Sequence, residues 1–255
     1  MNTLLEKIEK DMHIFWNIRE KLDPLHVENY QEVFRIDFAH HSTALEGNTL
    51  SLIQTKLLLS DHIPVKGKEL REIYEVVNHE KAFSYITTCV RKRKELNEEI
   101  INTIHKTVMA NIAPGGIYRT IPVWIGGSNY EPPSVPEMLY QMKEFYRDIA
   151  FKCMLEATEL AAWTHAQFTK IHPYADGNGR TARLIMNYQL MDKGLLPINI
   201  RVEDRERYLH CLEKYSLYGK LQPLQEMIME LEEKELHRYL EMAVGENLLD
   251  IQEIE

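Results

Sequence analysis

Ile171-His172-Pro173-Tyr174-Ala175-Asp176-Gly177-Asn178-Gly179-Arg180-Thr181-Ala182-Arg183 is the stretch on which the reading of this chain turns. Apolar periodic runs flank it, Leu160 to Phe168 before and Leu184, Ile185, Met186, Tyr188, Leu190 and Met191 after. Both runs predict buried helices. Pro173 ends the first near Ile171, because proline has no N–H to donate and disfavours helical geometry in the residue before it. Gly177-Asn178-Gly179 then opens the second. A glycine-rich turn feeding a helix N-terminus leaves backbone N–H groups unpaired at the positive end of the helix dipole, which makes an anion cradle. Arg180 falls in its first turn and Arg183 three residues on. Two guanidiniums beside several amides suit a polyphosphate better than a single carboxylate. Asp176 offers the hard oxygen that magnesium takes from a protein when phosphates supply the rest. His172, at the rim, titrates near neutrality, as a general base should. A plain helix–loop–helix turn would account for the glycines, with Asp176 as cap and the arginines solvated. It does not account for a histidine, an acid and two arginines converging on the same turn.

These residues closely resemble the signature of the Fic family, His-x-Phe-x-(Asp/Glu)-Gly-Asn-Gly-Arg-x-x-Arg, whose members typically move AMP from ATP onto a protein hydroxyl. One position departs: Tyr174 stands where the family has phenylalanine. A tyrosine keeps the shape of that packing anchor and needs one partner for its hydroxyl. The resemblance implies a mainly α fold, a Fic-type helical bundle with one β-hairpin flap. It implies His172 as the catalytic base. Gly177, Asn178, Gly179, Arg180 and Arg183 would bind the nucleotide, Asp176 would hold Mg²⁺ or Mn²⁺, and ATP would be the co-substrate.

Composition bounds the partners. The chain has 255 residues and a formal charge of −9, a poor prior for a nucleic-acid or anionic-membrane binder. Cys89, Cys153 and Cys211 are far apart and predict reduced thiols. Met1 to Lys10 alternates charge with leucine and isoleucine, unlike a signal peptide, and no apolar run is long enough to cross a bilayer. A cytoplasmic protein is the expectation.

Helical spacing recurs along most of the chain. Leu4, Leu5, Ile8, Met12, Phe15 and Ile18 predict a helix stopped by Pro24. A second runs from about Val27 to Leu45, with Gly47 as its C-terminal cap, and a short third starts near Ser51. Further helices follow over about 70–90 and 100–108. Pro114-Gly115-Gly116 breaks the pattern. Ile121-Pro122-Val123-Trp124-Ile125 followed by Gly126-Gly127-Ser128-Asn129 predicts a β-hairpin over Tyr118 to Glu131. Ser134 and Glu137 predict a capping box on the next helix. After the motif helix, which stops at Gly194, patterns resume over 204–215 and 221–243, ahead of an acidic, frayed tail past Gly245. The division expected is 1–60 for N-terminal helices, 61–225 for a catalytic core, and 226–255 for a C-terminal helix and tail.

Ser42-Thr43-Ala44-Leu45-Glu46-Gly47-Asn48 is the second informative stretch. Ser42 and Glu46 share a helical face, and Glu46 sits at a helix end where the dipole disfavours its charge. A partner cation would explain it; a solvated glutamate before a cap glycine is the plain alternative. The stretch resembles the inhibitory motif of Fic proteins that carry an N-terminal inhibitory helix, here about 27–46. That resemblance implies that Glu46 pairs with Arg183 and blocks the seat of the ATP γ-phosphate. Gly116-Ile117-Tyr118-Arg119, Val123-Trp124-Ile125-Gly126 and Pro132-Pro133 resemble the family's flap. Val123, Trp124, Ile125 and Gly126 would then wall the nucleotide, and the flap edge would dock a target protein bearing an exposed hydroxyl. Tyr208 matches an adenine-flanking position and Ser216 a base-contacting one. His40, His41 and His165 lack the pair spacing of a transition-metal site. A hydrolase removing AMP, with Glu46 orienting water, and a non-catalytic nucleotide-binding regulator remain open beside the adenylyltransferase. So does a homo-oligomer.

Overall fold

The computed structural model describes residues 2–249, without the side chains of Asn2 and Cys153. The end of the expected frayed tail, 250–255, and the thiol of Cys153 lie outside the described residues. The elements in chain order are helices α1 (Asn2–Ile18), α2 (Pro24–Ala44), α3 (Leu52–Leu59), α4 (Leu70–Arg91), α5 (Glu98–Val108), α6 (Val135–Phe151), α7 (Ala157–Ile171), α8 (Asn178–Asp192), α9 (Arg205–Tyr218) and α10 (Gln222–Gly245).

The motif joins the two central helices. α8 is buried nearly all round, polar residues included, and a helix apolar on most faces belongs in the middle of a bundle. Its buried amide Asn187 is satisfied by the backbone of Ile198, accepting from N at 2.8 Å and donating to O at 2.9 Å. α7 lies along α8, while α4 and α5 cover one side and α9 and α10 the other. α2 is part of this main core: Phe34 and Phe38 pack on Phe83 of α4 at ring separations of 5.7 and 5.3 Å. A second core forms where α1 lies against α10, with Phe15 edge-on to Tyr239 at 4.9 Å.

Three local expectations are corrected. Pro24 does not stop the first helix, which has ended at Ile18; it opens α2 at the first turn, where its missing N–H costs nothing, and Asp23 Oδ1 caps Leu25 N at 2.8 Å. Ser134 precedes α6 without a side-chain cap bond, and Pro136 removes one of the amides a cap would satisfy. The β-hairpin over 118–131 is absent: no β-strand occurs among the described residues. Pro122, Pro132 and Pro133 cannot donate to a ladder. Among backbone bonds, the segment turns on Ser128 N to Ile125 O (3.2 Å) and is tied to the motif by Arg119 N to Pro173 O (2.9 Å). It is an extended loop.

Candidate active site

His172 caps α7 with φ 52°, a left-handed conformation uncommon for residues other than glycine. Its Nδ1 faces Thr169 O at 3.2 Å. A carbonyl only accepts, so Nδ1 carries the hydrogen and Nε2 keeps a free lone pair. Burial holds the imidazole below its ordinary pKa, with Arg119 acting the same way and Glu46 and Asp176 opposing. The loop after it is closed by Asn178, which accepts from Tyr174 N (3.0 Å) and donates to Tyr174 O (2.8 Å). The Asn178 side chain is therefore used inward, and its backbone amide is what faces the cradle. Tyr174 stacks on His105 at 3.5 Å with rings nearly parallel, and its hydroxyl donates to Asn102 Oδ1 at 2.6 Å. That is the partner the tyrosine required.

His105 orients the loop from beneath. Its Nδ1 accepts from Gly116 N and its Nε2 donates to Asp176 O, both at 2.8 Å. Burial pushes its pKa down to about 4, so it stays neutral and the tautomer is fixed. Gly177 must be glycine here: φ is 77°, and a Cβ would stand 2.8 Å from Met109 Sδ.

The first in-helix bond of α8 is Thr181 N to Gly177 O, so the amides of Asn178, Gly179 and Arg180 precede it and are available to an anion. Glu46 sits over that cradle. A Cβ on Gly179 would lie 2.1 Å from Glu46 Oε1. Arg183 is 1 % exposed and fully engaged: Nε donates to Ser42 Oγ (2.8 Å), Nη2 to Ser42 O (2.6 Å) and to Glu46 Oε1 (2.8 Å), and Nη1 to the Tyr208 hydroxyl (3.3 Å). The carboxylate contact is thus a single bond, and Ser42 and the Tyr208 hydroxyl take the rest of the fork. Burial pushes the Glu46 carboxyl up, and Arg183 more than offsets this, leaving it below its ordinary value and ionised at neutral pH. Tyr208 also meets His165 Nε2 at 2.8 Å.

A cavity of about 830 Å³ opens above. Its walls include Glu46, His172, Gly179, Arg183, Trp124, Ile125, Gly126, Tyr208 and Ser216. Val123, Gly177, Asn178, Arg180 and Asp176 stand outside these walls. Arg180 is 1 % exposed and turned under the loop, with Nη1 3.4 Å from Glu75 Oε1 and Nη2 3.3 Å from Asp176 Oδ1. Asp176 is exposed beside the cradle; Gly177 N donates to its Oδ1, and Arg71 Nη2 donates to its Oδ2, each at 2.5 Å. A lone exposed carboxylate whose outer oxygen already attracts a cation fits a magnesium ion that draws its other ligands from water and phosphate.

Sequence reasoning gave no role to Arg119, His105 or Arg71. Arg119 is 3 % exposed and donates from Nε to His172 O (2.9 Å), from Nη1 to Ile121 O (3.1 Å) and from Nη2 to Pro133 O (2.5 Å). One guanidinium so pins both ends of the 119–133 loop to the backbone of His172. For Arg119 the signal available was an arginine three residues after a glycine breaker, in a segment already resembling a flap.

The model of the Fic/DOC family matches residues 95–190. The chain is 34% identical over 205 residues to the protein adenylyltransferase Fic of Drosophila persimilis, an alignment covering 79% of this chain and 40% of that protein. It spans about two fifths of the length of the curated relatives it matches. The fold is similar to the crystal structure of a Fic domain-containing signaling protein from Bacteroides thetaiotaomicron, with TM-score 0.85, 26% identity, and 94% and 98% of the two chains covered. It is also similar to Fic-1 from C. elegans, with TM-score 0.83, 27% identity, and 94% and 71% covered.

Proposed function

Because residues 95–190 match the model of the Fic/DOC family, we propose that this chain is a Fic protein that transfers AMP from ATP to a Tyr, Thr or Ser hydroxyl of a target protein, or of itself, and is held down at rest by Glu46. The observation that carries this is the single cavity wall shared by His172 and the Gly179–Arg183 helix start, with the Glu46 carboxylate lying on that helix start. His172 Nε2 takes the hydroxyl proton as the oxygen attacks the α-phosphorus, and the bond from that phosphorus to the bridging oxygen breaks, releasing pyrophosphate. The cradle amides and Arg183 hold the phosphate oxygens in place, and positioning is most of phosphoryl-transfer catalysis. Arg180 acts from below, keeping Asp176 and the loop in register. Asp176 would hold Mg²⁺ or Mn²⁺, which neutralises phosphate charge when bound. On this reading residues 61–225 form the catalytic core, and the 118–131 loop becomes a flap edge when a target segment pairs with it. The test is ATP-dependent incorporation of labelled AMP into the chain or a lysate protein; none above a nucleotide-free control refutes the proposal.

A second reading has an observation in its favour. Glu46 uses only Oε1 on Arg183, and its side chain is 40% exposed at the cavity. Its other oxygen can orient a water for hydrolysis of AMP from a modified hydroxyl, with His172 returning the proton. Release of AMP from a pre-modified target separates the two directions.

The buried imidazole fixes a pH dependence. A histidine whose pKa is lowered stays neutral, and so remains a base, to a lower pH than a free one. The acid limb of the rate profile of kcat/KM should therefore fall below the free-histidine value of about 6.5. An acid limb centred above it would remove His172 from the base role.

Arg119→Ala should unpin the loop. Three donor contacts to partly buried carbonyls are lost, and we expect amide exchange over 119–133 to accelerate at least about tenfold, since hydrogen bonds from charged groups contribute about 1.5–3 kcal/mol each. Unchanged protection in hydrogen-exchange mass spectrometry would show that the proline-rich loop holds itself.

A further inference from the structure

The Asp176 carboxylate already has a cation. Arg71, in the first turn of α4, places Nη2 2.5 Å from Asp176 Oδ2, and its Nε stands 3.2 Å from Glu75 Oε1, one turn on. The inner oxygen, Oδ1, is taken by Gly177 N and faces Arg180. Only Oδ2 points away from the loop, and Arg71 is on it. Arg71 is 55% exposed and Asp176 45%, so the pair can open without disturbing the core.

Glu75 is the pivot of this arrangement. It is 10% exposed and meets Arg71 and Arg180 with one oxygen, while Asn48 Nδ2 donates to the other at 2.9 Å. Asn48 also donates to Glu72 O at 2.9 Å, and Glu72 Oε1 accepts from Thr49 N and Oγ1. The turn that follows Glu46 is therefore stapled to the same turn of α4 that carries Arg71. When Arg71 leaves Asp176 it remains tethered through Nε to Glu75, close enough to return.

We propose that Arg71 is a resident counter-ion of Asp176, a positioning residue that keeps the carboxylate aimed at the cradle between turnovers and that a divalent cation must displace to bind. This rests on the reading of Asp176 as the metal-holding carboxylate. Removal of the guanidinium then removes a competitor. An exposed ion pair contributes about 0.2–1 kcal/mol, so metal affinity should tighten about 1.4- to fivefold at 1.36 kcal/mol per decade.

The test measures free Mn²⁺ by electron paramagnetic resonance in the presence of a non-hydrolysable ATP analogue. Wild type, Arg71→Gln, Arg71→Lys and Asp176→Asn are compared at low salt, where such a pair is least screened. Arg71→Gln should bind Mn²⁺ about 1.4- to fivefold more tightly, and Arg71→Lys, which restores the charge, should fall back toward wild type. Asp176→Asn should bind more weakly than all three. If Asp176→Asn is unchanged, the metal-ligand reading of Asp176 fails, and the proposal with it. If Asp176→Asn weakens binding but Arg71→Gln is unchanged or weaker, the metal-ligand reading stands and the counter-ion proposal is overturned. A loss of analogue affinity in Arg71→Gln also overturns it, because Arg71 would then be a phosphate contact.

Discussion

Glycine in place of Glu46 is expected to raise the rate of AMP incorporation about ten- to hundredfold over wild type. The carboxylate occupies the space directly over Gly179 and takes one N–H of Arg183. It is ionised at neutral pH, so it competes with phosphate on charge as well as on room. Removal leaves Arg183 held by Ser42 Oγ, Ser42 O and Tyr208, so the freed Nη2 is already aimed and little ordering is needed. A charge-assisted bond gained mainly in the productive pose is worth about 1.5–3 kcal/mol, and each 1.36 kcal/mol is about tenfold in rate. Arg183→Ala should not activate, because it removes the inhibitor's anchor and the phosphate's seat together, and the double variant should behave like Arg183→Ala alone. AMP incorporation by the four proteins, measured side by side, decides the matter. A Glu46→Gly protein no faster than wild type would reject inhibition and favour the hydrolase reading.

Removal of the imidazole at 172 should lower transfer about 10²- to 10⁴-fold while nucleotide affinity stays within a few-fold, because a general base contributes to chemistry more than to ground-state binding. The position needs care. With φ at 52°, alanine is strained there, whereas asparagine tolerates the left-handed region. His172→Asn is therefore the cleaner variant, with His172→Ala as its companion and thermal unfolding as the check on both. Full turnover by a folded His172→Asn protein would exclude His172 as the base.

The signature was readable because its chemistry is local: Pro173, Gly177 and Gly179 shape the turn, and His172, Asp176 and Arg183 lie within it. Glu46 was readable only through its resemblance, since its partner is 137 residues away. His105 and Arg71 had no local signature, and Arg119 had only its place in the flap-like segment. Each acts on the motif across 53, 71 or 105 residues, and nothing in the flanking periodicity marks such contacts. The different placing of Arg180 was not legible for a related reason. Three residues separate it from Arg183, but only one of the two faces the cavity, and α8 is buried on both sides, so polarity could not tell the faces apart. The hairpin failed because β-branched residues and a glycine turn describe a pair of strands, while the prolines around them withhold the donors a ladder needs.

If Glu46 inhibits as proposed, the placing of α2 decides how the site can be switched on. Phe34 and Phe38 belong to the main core, and truncating such a side chain costs about 3–5 kcal/mol. Ser42 of the same helix supplies two of the acceptors that aim Arg183. A protease cannot liberate this active site as it does a zymogen's, because cutting α2 away would dismantle the wall and release the arginine. Relief of the proposed inhibition would then be reversible: one carboxylate would swing aside while its helix stays, and the resting state would return without new synthesis.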